Sequence, residues 1–215
     1  MKKESGIILA LDVTDKEKAL EVSKAVGDIV DAVKVNYPLA LSCGLEIVTE
    51  LSKSAHIICD FKVADIPNTN RLIVEQAFKA GAGGIIVHGF VGHDSVESCV
   101  EHAKGGDVFV VTEMSHPGGQ EFTAKVAEDL VQVAIDAKAT GVIAPATRPE
   151  RLKLIRERLP DNMVVLSPGV GAQGGKITDV FDAGADYAII GRAIYDAEDP
   201  RKAAESFVEE LKASK

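Results

Sequence analysis

Eight short apolar runs, each followed by a stretch with helical periodicity, constrain the fold of this chain more than any other feature. The runs are Ile7–Leu11, Ala32–Val35, Ile57–Cys59, Ile85–Val87, Val108–Val111, Val142–Ala144, Val164–Leu166 and Ala188–Ile190. The helix-like segments are Lys16–Val26, Leu39–Leu51, Thr69–Lys79, Val96–Ala103, Ala127–Ala137, Glu150–Leu159, Ile177–Phe181 and Pro200–Lys212. Continuous β-branched runs spaced by helices read as strands buried on both faces, hence a parallel sheet. Eight such units within 215 residues favour an α/β fold of the (β/α)8 TIM-barrel type over an open sheet, with residues 1–215 forming one domain. Two helix–strand joints, Ala80-Gly81-Ala82 and Ala183-Gly184-Ala185, predict left-handed glycine caps.

In a barrel the strand ends converge on one face, where active sites form. The polar residues gathered where the runs end are Asp12, Lys34, Asp60 with Lys62, His88, Glu113 with Ser115, Thr147, Ser167 and Arg192. The densest stretch is Ile57–Thr69, IICDFKVADIPNT. Residues at i and i+2 of a strand share a face, so Asp60 and Lys62 point the same way. Charges at the end of an apolar strand persist only when paired or put to use. The residues alone leave two readings open. One is a structural Asp60–Lys62 pair with Asp65 capping the helix that Pro67 begins. The other is a reactive mouth in which Asp12, Lys34, Asp60, Lys62 and Asp65 converge.

The segment after the seventh run, Ser167–Gly175 (SPGVGAQGG), contains G-x-G-x-x-G at Gly169, Gly171 and Gly174. Its position late in a barrel pattern, with Pro168 before the turn, argues against dinucleotide binding. A loop whose bare backbone approaches a phosphate fits better, with Gly191 and Arg192 completing the site after the last strand. Thr147 and Glu150 read as a capping box at a helix start. His88 and His116 lack any H-x-H, HExxH or cysteine partner, so packing or ordinary hydrogen bonding is expected of them and no metal. Ser115-His116 lacks the G-x-S-x-G elbow of an activated serine.

Charge and cysteine content narrow the function classes. A net charge of −9 argues against a nucleic-acid binder, which needs a basic face. Cys43, Cys59 and Cys99 are too few and too scattered for a disulfide framework or metal knuckle, and fit a reducing compartment. No segment approaches membrane-spanning length. The apolar run near the N-terminus stops at Asp12, short of a signal-peptide core. A cytoplasmic protein is expected.

With a phosphate held near Arg192, a ligand's reacting part would lie over Lys62. That lysine could form a Schiff base or, as an ammonium, stabilise negative charge and donate a proton. Flanking carboxylates favour the ammonium. At this point the sequence resembles a known family. The block DFKVADIPNT (Asp60–Thr69), with ALDV (Asp12), VKVNYP (Lys34), TEMSHPG (Ser115), SPGVGAQGG and IIGRAIY (Arg192), is similar to orotidine 5′-phosphate decarboxylase in its short archaeal form, in order over essentially the whole chain.

The resemblance implies decarboxylation of orotidine 5′-monophosphate to UMP, the last step of pyrimidine nucleotide synthesis, without metal or organic cofactor. It implies Lys62 as proton donor to C6 and Asp60 beside the departing carboxylate. Asp65, Ile66 and Thr69 would reach into the neighbouring subunit's site, giving a homodimer with shared active sites. Asp12 and Lys34 would hold the ribose, and Ser115 the pyrimidine. The loop residues Pro168, Gly169, Val170 and Gly171 would line the substrate, Gln173 would bridge base and phosphate, and Gly191 and Arg192 would bind phosphate. Two alternatives differ in chemistry. A magnesium-dependent sugar-phosphate decarboxylase or aldolase of the same superfamily would place a glutamate at the end of the second strand, where this chain has Lys34. A non-catalytic phosphate-binding barrel would have no need of the Asp60–Lys62–Asp65 cluster.

Overall fold

The structure is a computed structural model and describes residues 3–170 and 177–213. Eight parallel strands close into a barrel in sequence order, β1 (Ile7–Leu11), β2 (Ala32–Asn36), β3 (Ile57–Val63), β4 (Gly84–His88), β5 (Asp107–Val111), β6 (Gly141–Ile143), β7 (Val164–Pro168) and β8 (Tyr187–Ile190), with β8 pairing back onto β1. The surrounding helices are α1 (Lys16–Val26), α2 (Tyr37–Cys43), α3 (Glu46–Leu51), α4 (Pro67–Lys79), α5 (His93–His102), α6 (Thr123–Asp136), α7 (Pro149–Arg158), α8 (Ile177–Asp182), α9 (Arg192–Tyr195) and α10 (Pro200–Ala213). This is the expected (β/α)8 barrel, and the strands fall on the eight apolar runs. The stretch 39–51, expected as one helix, is two: Gly44, with φ +76, separates α2 from α3. None of the described helices is long and apolar enough to cross a membrane.

Strand parity divides the core in two. Ile8, Ala10, Ala32, Ile58, Ile86, Phe109, Val111, Ile143, Leu166, Tyr187 and Ile189 fill the barrel interior as one cluster. Their sequence neighbours, such as Leu9, Val33, Cys59 and Val110, pack outward against the helices in a second. This period-2 division places the site, because a residue two positions beyond the last inward apolar side chain also points inward. Asp12 follows Ala10, Lys34 follows Ala32, Asp60 follows Ile58, and Gly191 follows Ile189.

The two predicted glycine caps form. Gly81 (φ +104) and Gly184 (φ +102) end α4 and α8. The N–H groups of Gly81 and Ala82 donate to the carbonyls of Phe78 and Ala77, and those of Gly184 and Ala185 to Phe181 and Val180. This paired pattern is a Schellman motif, which turns each helix directly into the next strand.

Candidate active site

Beyond the end of the inner core lies a cavity of about 280 Å³ at the C-terminal mouth of the barrel. Asp12, Lys34, Asp60 and Lys62 join along it into one chain of ion pairs. Lys34 Nζ lies 2.9 Å from Asp60 Oδ2 and 3.5 Å from Asp12 Oδ1. Lys62 Nζ donates to both oxygens of Asp60, at 2.8 and 2.9 Å. Lys34 and Asp60 are buried, whereas Lys62 and Asp12 are partly open to the cavity. Burial opposes ionisation of Asp60, but Lys34 and Lys62 outweigh it and hold the carboxyl below its ordinary range. Burial likewise pulls Lys34 down, and Asp60 and Asp12 together push its pKa above the usual lysine value. Each buried charge exists because its neighbours do.

Lys62 is placed by a distortion of β3. Between Cys59 and Val63 that strand takes four steps while β4 takes two, from Ile85 to Val87. Within this bulge Lys62 adopts φ +41, a left-handed conformation uncommon for a long side chain. Such strain is found where a side chain must be aimed. The ammonium is thereby turned over the Asp60 carboxylate at the edge of the cavity.

His88, at the tip of β4, packs against Phe90 with ring centroids 4.6 Å apart. Its Nδ1 is buried without a hydrogen-bond partner. Burial, aided by the charge of Lys62, lowers its pKa to about 4, so it is neutral at physiological pH. The packing expected of it is found. Among the described residues no three His, Cys, Asp or Glu side chains gather as a metal's ligands would.

A second set of ion pairs braces the β5 end. Glu113 is fully buried, with Arg148 Nε at 3.0 Å and Arg151 Nε at 2.9 Å on its two oxygens. The Arg148 guanidinium also donates to the carbonyls of Met114 and Ser115, and Thr147 Oγ1 donates to the Ser115 carbonyl. The capping box expected at Thr147 and Glu150 is therefore absent. The N-cap is Arg148, with no side-chain cap bond, because Thr147 and Arg148 are occupied in pinning Ser115. Ser115, Met114 and Glu113 all line the cavity. Ser167 is structural, donating to the Ala144 carbonyl at 2.8 Å.

Pro168, Gly169, Val170, Gly191 and Arg192 close the far side of the cavity. Gly171 and Gln173 lie outside the described residues. Asp65, Ile66 and Thr69 do not line the cavity of their own chain. Asp65 is not the predicted cap either: its Oδ1 accepts the Ile66 N–H at 2.7 Å, and the N-cap of α4 is Ile66, with no side-chain cap bond. The mouth thus gathers four of the five charges expected there. Ile66 is 65% exposed, and Thr69 borders a separate apolar groove formed with Tyr37, Leu41, Phe61 and Leu72.

The comparisons with known proteins match this architecture across the chain. A family model described as "Orotidine 5'-phosphate decarboxylase / HUMPS family" matches residues 5–207. The chain belongs to the orotidine 5′-phosphate decarboxylase / HUMPS family. Among relatives named orotidine 5′-phosphate decarboxylase, that of Methanosarcina mazei is 56% identical over 215 residues, covering 99% of this chain and 98% of the relative. That of Methanococcoides burtonii is 57% identical over 213 residues, covering 98% and 99%. Two solved structures superimpose with TM-scores of 0.90. The Pyrococcus horikoshii enzyme is 48% identical, covering 96% of this chain and 99% of that one. The Methanocaldococcus jannaschii enzyme, complexed with the inhibitor BMP, is 47% identical and covers 98% and 99%.

Seen as an orotidine 5′-phosphate decarboxylase / HUMPS family barrel, the cavity also uses residues that sequence reasoning passed over. Asn36, Met114 and Tyr195 line it. Asn36 was within reach of the parity rule, two positions beyond Lys34. Met114 and Tyr195 lie past the strand ends, in segments whose direction no periodicity sets.

Proposed function

We propose that this protein decarboxylates orotidine 5′-monophosphate to UMP and carbon dioxide, with no metal or organic cofactor. The names of its relatives support the substrate. The observation that carries the mechanism is the Asp60–Lys62 pair at the cavity edge. A phosphate seated by Arg192 and the loop after β7 leaves the pyrimidine spanning the cavity towards Lys62. The substrate carboxylate then lies against Asp60, whose charge Lys34 and Lys62 maintain. Repulsion between the two carboxylates eases as carbon dioxide departs. The Lys62 ammonium, already aimed by the β3 bulge, stabilises the electron pair left on C6 and then delivers the proton. Ser115, fixed by Arg148 and Thr147, faces the pyrimidine. Gln173 is assigned, by resemblance, the bridge between base and phosphate.

The protein acts as a homodimer in which Asp65, Ile66 and Thr69 enter the neighbouring site. Their position outside their own cavity and the apolar groove beside them support this arrangement. The magnesium-dependent alternative is disfavoured by Lys34, whose cation sits where that chemistry calls for a carboxylate. Free thiols at Cys43, Cys59 and Cys99 support a cytoplasmic setting.

The test follows the ultraviolet spectrum of orotidine 5′-monophosphate with purified protein in EDTA. Turnover unaffected by chelation is expected, and dependence on added magnesium would overturn the reading. Dimers mixing Lys62→Ala and Asp65→Ala subunits test the shared site. One intact pocket per mixed dimer is expected, and uniformly inactive mixtures would refute sharing.

A further inference from the structure

Asn36 is the last residue of β2, two beyond Lys34 and in register with Asp60 on β3. Its side chain lines the cavity, as the inward parity of Ala32 and Lys34 requires. Half of its carboxamide is already committed. Oδ1 accepts the Tyr37 N–H at 2.7 Å and caps α2. A side chain held by its own helix cap loses the rotamer freedom of a free asparagine, so the amide is fixed before any ligand arrives. Its Nδ2 carries two donors, and among the described residues neither makes a hydrogen bond.

The order of strands says what part of a ligand would meet those donors. Going around the barrel, β8, β1, β2 and β3 are consecutive. Arg192 follows β8 and Lys62 lies in β3. A nucleotide with its phosphate at the first and its reacting ring at the second must carry its sugar over the tips of β1 and β2. There Asp12 offers acceptors, and Lys34 is drawn into ion pairs with Asp12 and Asp60. Two carboxylates and two amines already balance in this chain of pairs. A further donor that leaves the balance undisturbed must be uncharged, and an amide N–H is.

We propose that Asn36 is a substrate-binding residue whose Nδ2 donates a hydrogen bond to a ribose hydroxyl of the nucleotide. The assignment rests on the function proposed above.

Asn36→Ser keeps an oxygen able to cap α2 but removes the Nδ2 donors, leaving only a hydroxyl one bond shorter that does not reach their position, whereas Asn36→Ala removes cap and donors together. Steady-state kinetics would be measured for both variants with orotidine 5′-monophosphate and its 2′-deoxy and 3′-deoxy analogues, alongside unfolding midpoints. For Asn36→Ser, KM for the ribonucleotide should rise about three- to tenfold with kcat unchanged, the loss expected of one neutral hydrogen bond. The difference from wild type should vanish on whichever deoxy analogue lacks the partner hydroxyl. Asn36→Ala should show the same KM pattern with a lowered unfolding midpoint. An Asn36→Ser enzyme indistinguishable from wild type on the ribonucleotide, or a loss equal on all three substrates, would overturn the assignment while leaving decarboxylation intact. Wild-type protein that does not turn over orotidine 5′-monophosphate would overturn the functional reading and this assignment together.

Discussion

Lys62 adopts φ +41, a conformation that costs an L-residue about 1–2 kcal/mol relative to the right-handed regions. Glycine escapes that cost, so substitutions here should invert the usual strand ranking of alanine over glycine. Both Lys62→Ala and Lys62→Gly remove the ammonium and should lower kcat by at least about a thousandfold. Denaturant unfolding should nevertheless find the glycine variant more stable than the alanine variant by about 0.5–1 kcal/mol, and equal midpoints would count against strain at this residue. Asp60 and Lys34 make a second residue-scale prediction. The folded pKa of Asp60 is depressed, so its stabilisation is complete above the unfolded value of about 3.9 and is lost as pH falls through the folded one. That of Lys34 is raised, so its contribution is complete below about 10.4 and is lost as pH rises through the folded value. Asp60→Asn leaves Lys34 buried with only Asp12, 3.5 Å away, and should cost about 3–5 kcal/mol near neutral pH. The gap between wild type and variant should narrow as pH drops below about 4, measured by urea midpoints across the range. The Asp60–Lys62 pairing was legible from i, i+2 spacing. The bulge that aims Lys62 was not, because no glycine or proline marks a distortion imposed by pairing with β4.

At the scale of elements, the β5–α6 and β6–α7 connections behave as one unit because Glu113 ties them. Its carboxylate is fully enclosed between Arg148 and Arg151, and Arg148 passes that anchorage to the carbonyls of Met114 and Ser115. Glu113→Ala should therefore do two things. Loss of a buried partner common to two arginines should destabilise the fold by at least about 2 kcal/mol. Release of the Ser115 backbone should raise KM by about tenfold, since positioning rather than charge at the reacting carbon is lost. Glu113→Gln, which keeps the shape, should recover part of the stability. An alanine variant with wild-type stability and KM would show that the connections hold their places independently. The strands and most helices were legible because period 2 and period 3.6 are dictated by burial. This brace was not: Thr147, Arg148 and Glu150 carry the local pattern of a helix start, and a contact to residues more than 30 positions earlier overrides it. Gly44 divided a predicted helix for the complementary reason, a local break inside a periodic apolar pattern.

The whole molecule presents its apolar surface unevenly. Tyr37 and Leu41 in α2, Ile66 at the N-cap of α4 and Leu72 within it are 44%, 81%, 65% and 45% exposed, and Tyr37 is stacked on Phe61 at 5.2 Å. Tyr37, Leu41 and Leu72 line one groove, and apolar side chains of this size gathered together mark a surface that excludes water when covered. The groove also takes in Thr69, which with Asp65 and Ile66 makes up the cavity candidates that do not reach their own cavity. In the proposed homodimer, covering the groove with a second copy would bring those three residues towards a neighbour's site and would couple assembly to activity. Leu41 tests this at a position remote from the ion-pair chain. Leu41→Asp places a carboxylate where the dimer would bury leucine, and an unpaired buried charge is strongly unfavourable. Since Leu41 is 81% exposed in the single chain, the barrel itself should fold unchanged. Light scattering with size-exclusion chromatography should find Leu41→Asp at monomer mass with a native circular dichroism spectrum, and turnover should fall at least tenfold. Raising protein concentration should restore part of the activity as mass action re-forms the dimer. A fully active monomer would break the link between the groove and catalysis and return Asp65 to a role within its own chain.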